Sequence, residues 1–146
     1  VELDDLLFSE AARLQQRGRV TVDASGIEPV VVTGDRGQLA RLIRNLVDNA
    51  ERHAAGSVRL AVATRDGGTG VVVVDDDGPG IEAAERERVF ERFVRLDESR
   101  QRATGGTGLG LSIVSDIAAR HGGTVAITKA PLGGCRFTVE LAADIS

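Results

Sequence analysis

Three stretches carry residue types that could do chemistry. The first is Asp75-Asp76-Asp77-Gly78-Pro79-Gly80, which follows four consecutive valines, Val71 to Val74. Carboxylates at the end of a buried strand, followed by a Gly-Pro-Gly turn, sit where a ligand can approach the backbone closely. One carboxylate could accept a hydrogen bond from the amino group of a nucleobase, the three could ligate a metal, or the stretch could be a solvated acidic turn. The second is the stripe Asn45, Asn49 and Arg52. Two carboxamides one helical turn apart can offer oxygens to one hard cation, with a guanidinium on the same face for phosphate. The third is Gly105-Gly106-Thr107-Gly108-Leu109-Gly110, which runs straight into a helical pattern. Unpaired N–H groups at a helix N-terminus favour phosphate. The run lacks the lysine of a Walker-type loop, and no parallel βαβ unit surrounds it.

The elements that must position these residues follow from periodicity. Leu3, Leu6, Leu7, Ala11 and Leu14 predict an amphipathic helix over 2–17, stopped by Gly18. Two short strands are expected at 19–23 and 30–33. The apolar stripe Leu39, Leu42, Ile43, Leu46, Val47 and Ala50 predicts a helix over 36–53, capped by Asp35. Val58, Leu60 and Val62 alternate with less apolar residues, and Asp66-Gly67-Gly68 turns that strand into the valine run, an antiparallel hairpin. A short helix is expected at 82–93 and a polar loop at 95–104, a length usually functional or mobile. Ile113, Val114, Ile117 and Ala118 predict a further helix, stopped by Gly122 and Gly123. A closing hairpin spans 124–128 and 136–141. Helices that cluster with hairpins predict an α+β two-layer sandwich: a mixed, largely antiparallel sheet with about three helices on one face.

At 146 residues the chain is long enough for one domain with its own core. It has four Phe and no Trp or Tyr, so that core must be aliphatic. A net charge of −4 argues against nucleic acid as the main partner. Cys135 is the only cysteine, which excludes an internal disulfide. No apolar run approaches membrane-spanning length, so the chain is not expected to insert in a bilayer. It begins at Val1 rather than Met, as expected of a piece of a longer protein.

Taken in order, Asn-Leu-Val-Asp-Asn-Ala (45–50), Asp-Asp-Gly-Pro-Gly-Ile (76–81), Val-Phe-Glu-Arg-Phe (89–93) and Gly-Gly-Thr-Gly-Leu-Gly-Leu (105–111) resemble the four boxes of one family. That family is the ATP-binding catalytic domain of two-component sensor histidine kinases, with the Bergerat fold. Gly34-Asp35, His121-Gly122-Gly123 and the closing segment 133–138 are similar to it as well.

The resemblance implies ATP and Mg²⁺ as ligands. Asp76 would bind the exocyclic amine of adenine, with Gly78 and Gly80 allowing close approach and Ile81 and Phe93 among the nucleotide contacts. Asp75 and Asp77 are left as a solvated rim. Asn45 and Asn49 would hold the metal and phosphate, with Arg52 beside them. His53 stands where the family often has Tyr and would line the adenine pocket. Gly106, Thr107, Gly108, Leu109 and Gly110 would shape the phosphate side. The ATP lid would span about 94–107, and Arg100 or Arg102 would reach the γ-phosphate.

Related ATPases carry a Glu general base at the position of Asn45. Its absence here implies slow hydrolysis and transfer to an imidazole instead. Neither His53 nor His121 has the acceptor motif. The resemblance therefore implies a separate dimerising helical domain bearing the acceptor, a response regulator downstream, and a parent kinase that is a homodimer anchored in the cell membrane. This chain would be its monomeric cytoplasmic part. A non-catalytic ATP-sensing module and a serine-kinase-type anti-sigma factor are the alternatives.

Overall fold

The computed structural model describes residues 1–65, 68–86 and 110–142. In chain order these form α1 (Leu3–Arg17), β1 (Thr21–Ile27), α2 (Arg36–His53), β2 (Ser57–Arg65), β3 (Thr69–Asp76), a 3₁₀ turn (Ala83–Glu85), α3 (Gly110–Arg120), β4 (Thr124–Lys129) and β5 (Cys135–Ala142). The sheet order is β1-β2-β3-β5-β4. Only β1 and β2 run parallel; β2–β3, β3–β5 and β4–β5 are antiparallel. The expected mixed, largely antiparallel sheet is thus observed.

The helices form because their apolar residues fall on one stripe, and they end where the local chemistry stops them. In α1, Leu3, Leu6, Leu7, Ala11 and Leu14 are buried. Gly18 then turns left-handed at φ 69° and donates its N–H to the Leu14 carbonyl, a conformation costly to other residues. In α2 the Asp35 carboxylate accepts from the Gln38 N–H at 2.9 Å, a cap worth about 1 kcal/mol. α3 buries Val114, Ile117 and Ala118 and closes with Gly122 at φ 68° and a Gly123 N–H bond to the Ala118 carbonyl. Val58, Leu60, Val62, Val72, Val74, Phe137 and Val139 are all buried on the helical side. Val71 and Val73, between them, stay half-exposed on the other face. One covered and one open sheet face make the two layers.

Two ties fix α2, the helix that carries the asparagines. At its start, His121 reaches over from the end of α3. Its Nε2 accepts the Asp35 N–H at 3.1 Å while Nδ1–H donates to the Ile117 carbonyl at 2.8 Å. Along its back, the buried Glu10 carboxylate accepts from Arg13 and Arg44, and Arg13 bonds onward to Asp48 at 2.6 Å. Arg17 pairs with the buried Glu51 at 3.1 Å.

Two expectations need correction. The strand expected at 19–23 instead runs from Thr21 to Ile27, passing Ser25 and Gly26 through an irregular register between Asp23 and Gly26. A bulge lets β1 absorb residues that read as turn formers. Among the described residues, the strand expected at 30–33 is reduced to isolated bridge residues at Val31 and Val32, Val31 facing Glu2, with Val32 N–H on the Val1 carbonyl and Leu3 N–H on the Val30 carbonyl. Glu2 is followed by a helix from Leu3, so the pairing of Val31 with the N-terminal segment cannot lengthen into a ladder. The helix expected at 82–93 is seen as far as the 3₁₀ turn; its remainder and the 95–104 loop lie outside the described residues.

Candidate functional site

β3 is the central strand, and its end sets up the site. The β2–β3 ladder closes at the Val58–Asp76 pair, and the β3–β5 ladder at Asp75–Arg136. Beyond these pairs the three aspartates take three different directions.

Asp75 points to the open sheet face, where Arg136 grips both its oxygens at 2.8 Å. Its carboxylate is 1% exposed. Asp76 is equally buried, on the other side. Its Oδ1 accepts the Gly78 N–H at 2.8 Å and the Cys135 N–H at 3.3 Å. Burial is the main influence on this carboxyl and pushes its pKa up, against the pull of those two N–H groups and the nearby His53. Asp77 turns back to the end of α2. Its Oδ1 accepts from Ala55, Gly56 and Ser57 at 2.8, 3.0 and 3.0 Å. Those N–H bonds, Gly56 first, hold its pKa below the usual carboxylate range. The expectation that Asp75 and Asp77 form a solvated rim fails for Asp75, which is buried; Asp77 stays half-exposed, as expected, but is not a free carboxylate. Both are engaged, because the sheet and the α2–β2 connection bring partners distant in sequence.

Two glycines make room for this turn. A Cβ at Gly78 would run into the His53 carbonyl oxygen. A Cβ at Gly134 would collide with Asp76 Oδ1 and stand 2.6 Å from both the Asp76 carbonyl oxygen and the Gly78 nitrogen. Gly80 adopts φ 80° with Gly134 behind it. Ile81 is half-buried and packs against the core. Cys135 is buried beside Asp76, and burial together with that negative charge pushes its thiol up to about 11. It stays protonated and packs as a small apolar side chain.

The second end of the site lies along α2. Asn49 is buried and Arg52 is exposed. Asn45 is half-buried. Its Nδ2 is out of contact with solvent and has no hydrogen-bond partner among the described residues. Its Oδ1 lies 3.8 Å from where a Cβ on Gly110 would stand, so α2 meets the first residue of α3 here. Asp48, on the same face by spacing, goes instead to Arg13 of α1. From Asn45 to His53 the helix rises about 12 Å. Phe93, Arg100, Arg102, Gly106, Thr107, Gly108, Leu109 and the expected lid at 94–107 lie outside the described residues.

Chemically, the arrangement offers a buried carboxylate at a tightly made turn and, further along α2, an amide donor without a partner among the described residues, beside a helix start. Residues 34–145 match the family described as histidine kinase-, DNA gyrase B- and HSP90-like ATPase. The chain belongs to this ATPase family. Its fold is close to that of the mycobacterial sensor histidine kinase MprB, with a TM-score of 0.86 at 29% identity over 98% of this chain and 95% of that one. Full-length ShkA in complex with AMPPNP gives a TM-score of 0.80 at 31% identity, covering all of this chain and 31% of that one. In sequence the chain is 40% identical over 145 residues to the sensor-like histidine kinase SenX3 of Mycolicibacterium smegmatis, covering 94% of this chain and 37% of the relative. It is 46% identical over 104 residues to the sensor protein RstB of Escherichia coli, covering 71% of this chain and 24% of the relative. The chain thus spans from about a quarter to just over a third of the length of these curated relatives. Among the described residues, no helix is long and apolar enough to cross a membrane.

Sequence reading missed Gly134 and Arg136 as parts of the site. The one available signal for Arg136 was its opposite charge to Asp75 in neighbouring strands. Gly134 read only as a turn residue.

Proposed function

We propose that this chain is the single catalytic domain of a sensor histidine kinase, extending over 1–146. It binds MgATP and delivers the γ-phosphoryl group to a histidine on a separate dimerisation domain, for relay to a response regulator. One observation carries the reading: the buried Asp76 carboxylate is held at one oxygen by the Gly78 and Cys135 N–H groups, in a turn cleared by two glycines. Such a carboxylate suits the amino group of adenine, a neutral donor that can approach only where the backbone leaves space.

The second end fits the rest of the nucleotide. The buried Asn45 Nδ2 lacks an acceptor among the described residues, and a phosphate oxygen would supply one. The carboxamide oxygens of Asn45 and Asn49 are hard donors of the kind that Mg²⁺ takes together with waters and phosphates. A bound Mg²⁺ would neutralise charge on the phosphates. Arg52 adds positive charge from the same helix, and Gly110 opens α3 beside Asn45. The glycine-rich run 106–109, Phe93 and Arg100 or Arg102 complete the phosphate side and lid. His53 flanks the base turn.

At position 45 a carboxamide cannot take a proton from water as a carboxylate would. The acceptor must then be a group already nucleophilic, such as a neutral imidazole. Its nitrogen forms the new bond to the γ-phosphorus while the bond to the β–γ bridging oxygen breaks and ADP leaves. The chain's contribution is positioning and charge. It acts as a monomeric cytoplasmic module, while dimerisation and membrane anchoring belong to the remainder of the parent protein.

The test mixes the chain with the dimerisation hairpin of its own parent kinase and γ-labelled ATP. An acid-labile, alkali-stable phosphorylated hairpin is expected. ATP binding without any such product would leave a nucleotide-sensing module in place of a kinase.

A further inference from the structure

Asp77 has no place in the chemistry above, yet it is the most heavily used acceptor in the neighbourhood. We propose that Asp77 is a positioning residue that sets base selectivity, holding the Asp76 turn at a fixed distance from the end of α2. The proposal rests on the reading of Asp76 as the adenine acceptor.

The need for such a tie comes from the sheet. Backbone pairing holds β3 only as far as Val58–Asp76 on one side and Asp75–Arg136 on the other. From residue 77 the chain leaves both ladders and must reverse within Gly78-Pro79-Gly80. On the β5 side, Gly134 donates its N–H to the Asp76 carbonyl at 3.2 Å, and Cys135 reaches the Asp76 side chain. On the α2 side, the Asp77 carboxylate does the equivalent work. One oxygen gathers three successive N–H groups of the segment that joins α2 to β2. Three donors converging on one charged oxygen define a position, as a helix cap does.

The consequence for Asp76 is direct. The His53 carbonyl already touches the space above Gly78, so the turn is clamped between residues 53–57 and residues 134–135. With that clamp closed, the Asp76 carboxylate has one orientation. A fixed acceptor distinguishes the amino group of adenine from the carbonyl oxygen that guanine carries at the same place, because two acceptors repel. With the clamp open, Asp76 can swing, and the difference between the two bases shrinks. Asp77 is poised for this role at neutral pH, since its N–H partners keep it ionised.

Calorimetric affinities for MgATP and MgGTP, measured on the 146-residue chain and three variants, test this. In Asp77→Ala the ATP affinity should fall about ten-fold and the ATP-to-GTP ratio should shrink by a similar factor. Asp77→Asn keeps an acceptor oxygen in the same place and should restore the ratio to within about three-fold of wild type. Asp77→Glu keeps the charge but moves the oxygen by one methylene, and should behave like Asp77→Ala. If Asp77→Ala does not fold, the Asn and Glu pair carries the test. A variant that loses thermal stability while the base ratio stays at the wild-type value would make Asp77 merely structural and overturn the proposal. A wild-type chain that binds ATP and GTP equally would instead sink the adenine reading of Asp76, a separate failure.

Discussion

The two ends of the site are built on opposite plans. At the base end, among the described residues, each aspartate is already engaged within the chain: Asp75 by Arg136, Asp76 by Gly78 and Cys135, Asp77 by residues 55–57. At the phosphate end a buried amide donor on Asn45 stands without an acceptor among the described residues. The base end is thus assembled before any ligand arrives, and its cost is met by folding. The phosphate end keeps an unmet demand that a ligand can satisfy. A preorganised end confers selectivity, because a wrong group finds no room to adjust. An end with an orphaned donor gains affinity from whatever anion completes it. The two plans differ in what mutation should do, and that difference can be pressed from its largest effect downward.

The largest effect is expected at Asp76. In Asp76→Asn the side chain can still accept the Gly78 and Cys135 N–H groups, but its other atom becomes a donor facing the adenine amine. Affinity for MgATP should fall about 100-fold, the loss expected when a hydrogen bond to a charged group becomes a clash of donors. Calorimetry showing unchanged affinity would refute the adenine assignment. The same substitution removes a desolvated carboxylate, so the chain should become more stable at neutral pH while it binds less well, the usual trade at a functional position.

The next effect concerns stability. Gly134→Ala places a methyl group against Asp76 Oδ1, the Asp76 carbonyl oxygen and the Gly78 nitrogen, all of them held by other bonds. Relief requires moving either β5 or the turn. Unfolding in urea should show a loss of about 1–3 kcal/mol, with ATP affinity falling alongside. Gly133→Ala is the control, since no atom lies within 4 Å of a Cβ there. Its φ of 108° still strains a side chain, but the strain lies away from Asp76, so its affinity should hold. Equal affinity losses in the two variants would mean that Gly134 acts through the hairpin and not through the carboxylate.

The phosphate end should respond in the opposite sense. Asn45→Ala removes a donor that has no partner among the described residues, so urea unfolding without nucleotide should show the variant unchanged or up to about 1 kcal/mol more stable. With MgATP the order should reverse, with affinity down about ten-fold. A variant destabilised without nucleotide would show that Asn45 is already satisfied in the free chain, and the contrast between the two ends would fail.

These contrasts also show what a sequence can disclose. The three helices and the β2–β3 hairpin were legible because each rests on local periodicity. Leu39, Leu42, Ile43, Leu46, Val47 and Ala50 announce α2 without reference to any other segment, and the same residues are buried in the core. The Asp76 turn was legible because glycines and a proline follow a valine run. What escaped depends on distance along the chain. Asp75 finds Arg136 61 residues on, and Asp77 finds its three N–H groups 20 to 22 residues back. Three adjacent aspartates look interchangeable until the sheet assigns each a side. Val30–Thr33 read as a strand from β-branched residues, yet a strand needs a partner as long as itself. The role of Gly134 was hidden for a similar reason, since close packing against Asp76 leaves no trace in composition.

The smallest effect is also the finest test, because it separates two neighbours. Asp76 has its pKa raised, chiefly by burial, and Asp77 has its pKa lowered, chiefly by the Gly56 N–H. For Asp77 the unfolded chain binds more protons in the window below 3.8, its ordinary value. Stability from this group is therefore present above that window and is lost as pH falls through the folded-state value. For Asp76 the folded chain holds the proton longer, so its contribution falls as pH rises from 3.8 toward the raised value. Urea unfolding from about pH 2.5 to 6 should show both limbs in wild type, on either side of the ordinary carboxylate range. Asp77→Asn should reduce the acid limb alone, leaving the part that Asp23 contributes, and Asp76→Asn the upper limb alone, leaving the part that Glu2 contributes. If either substitution reduced both, the two carboxylates would titrate as one unit, and the division between a base-reading aspartate and a positioning one would lose its physical footing.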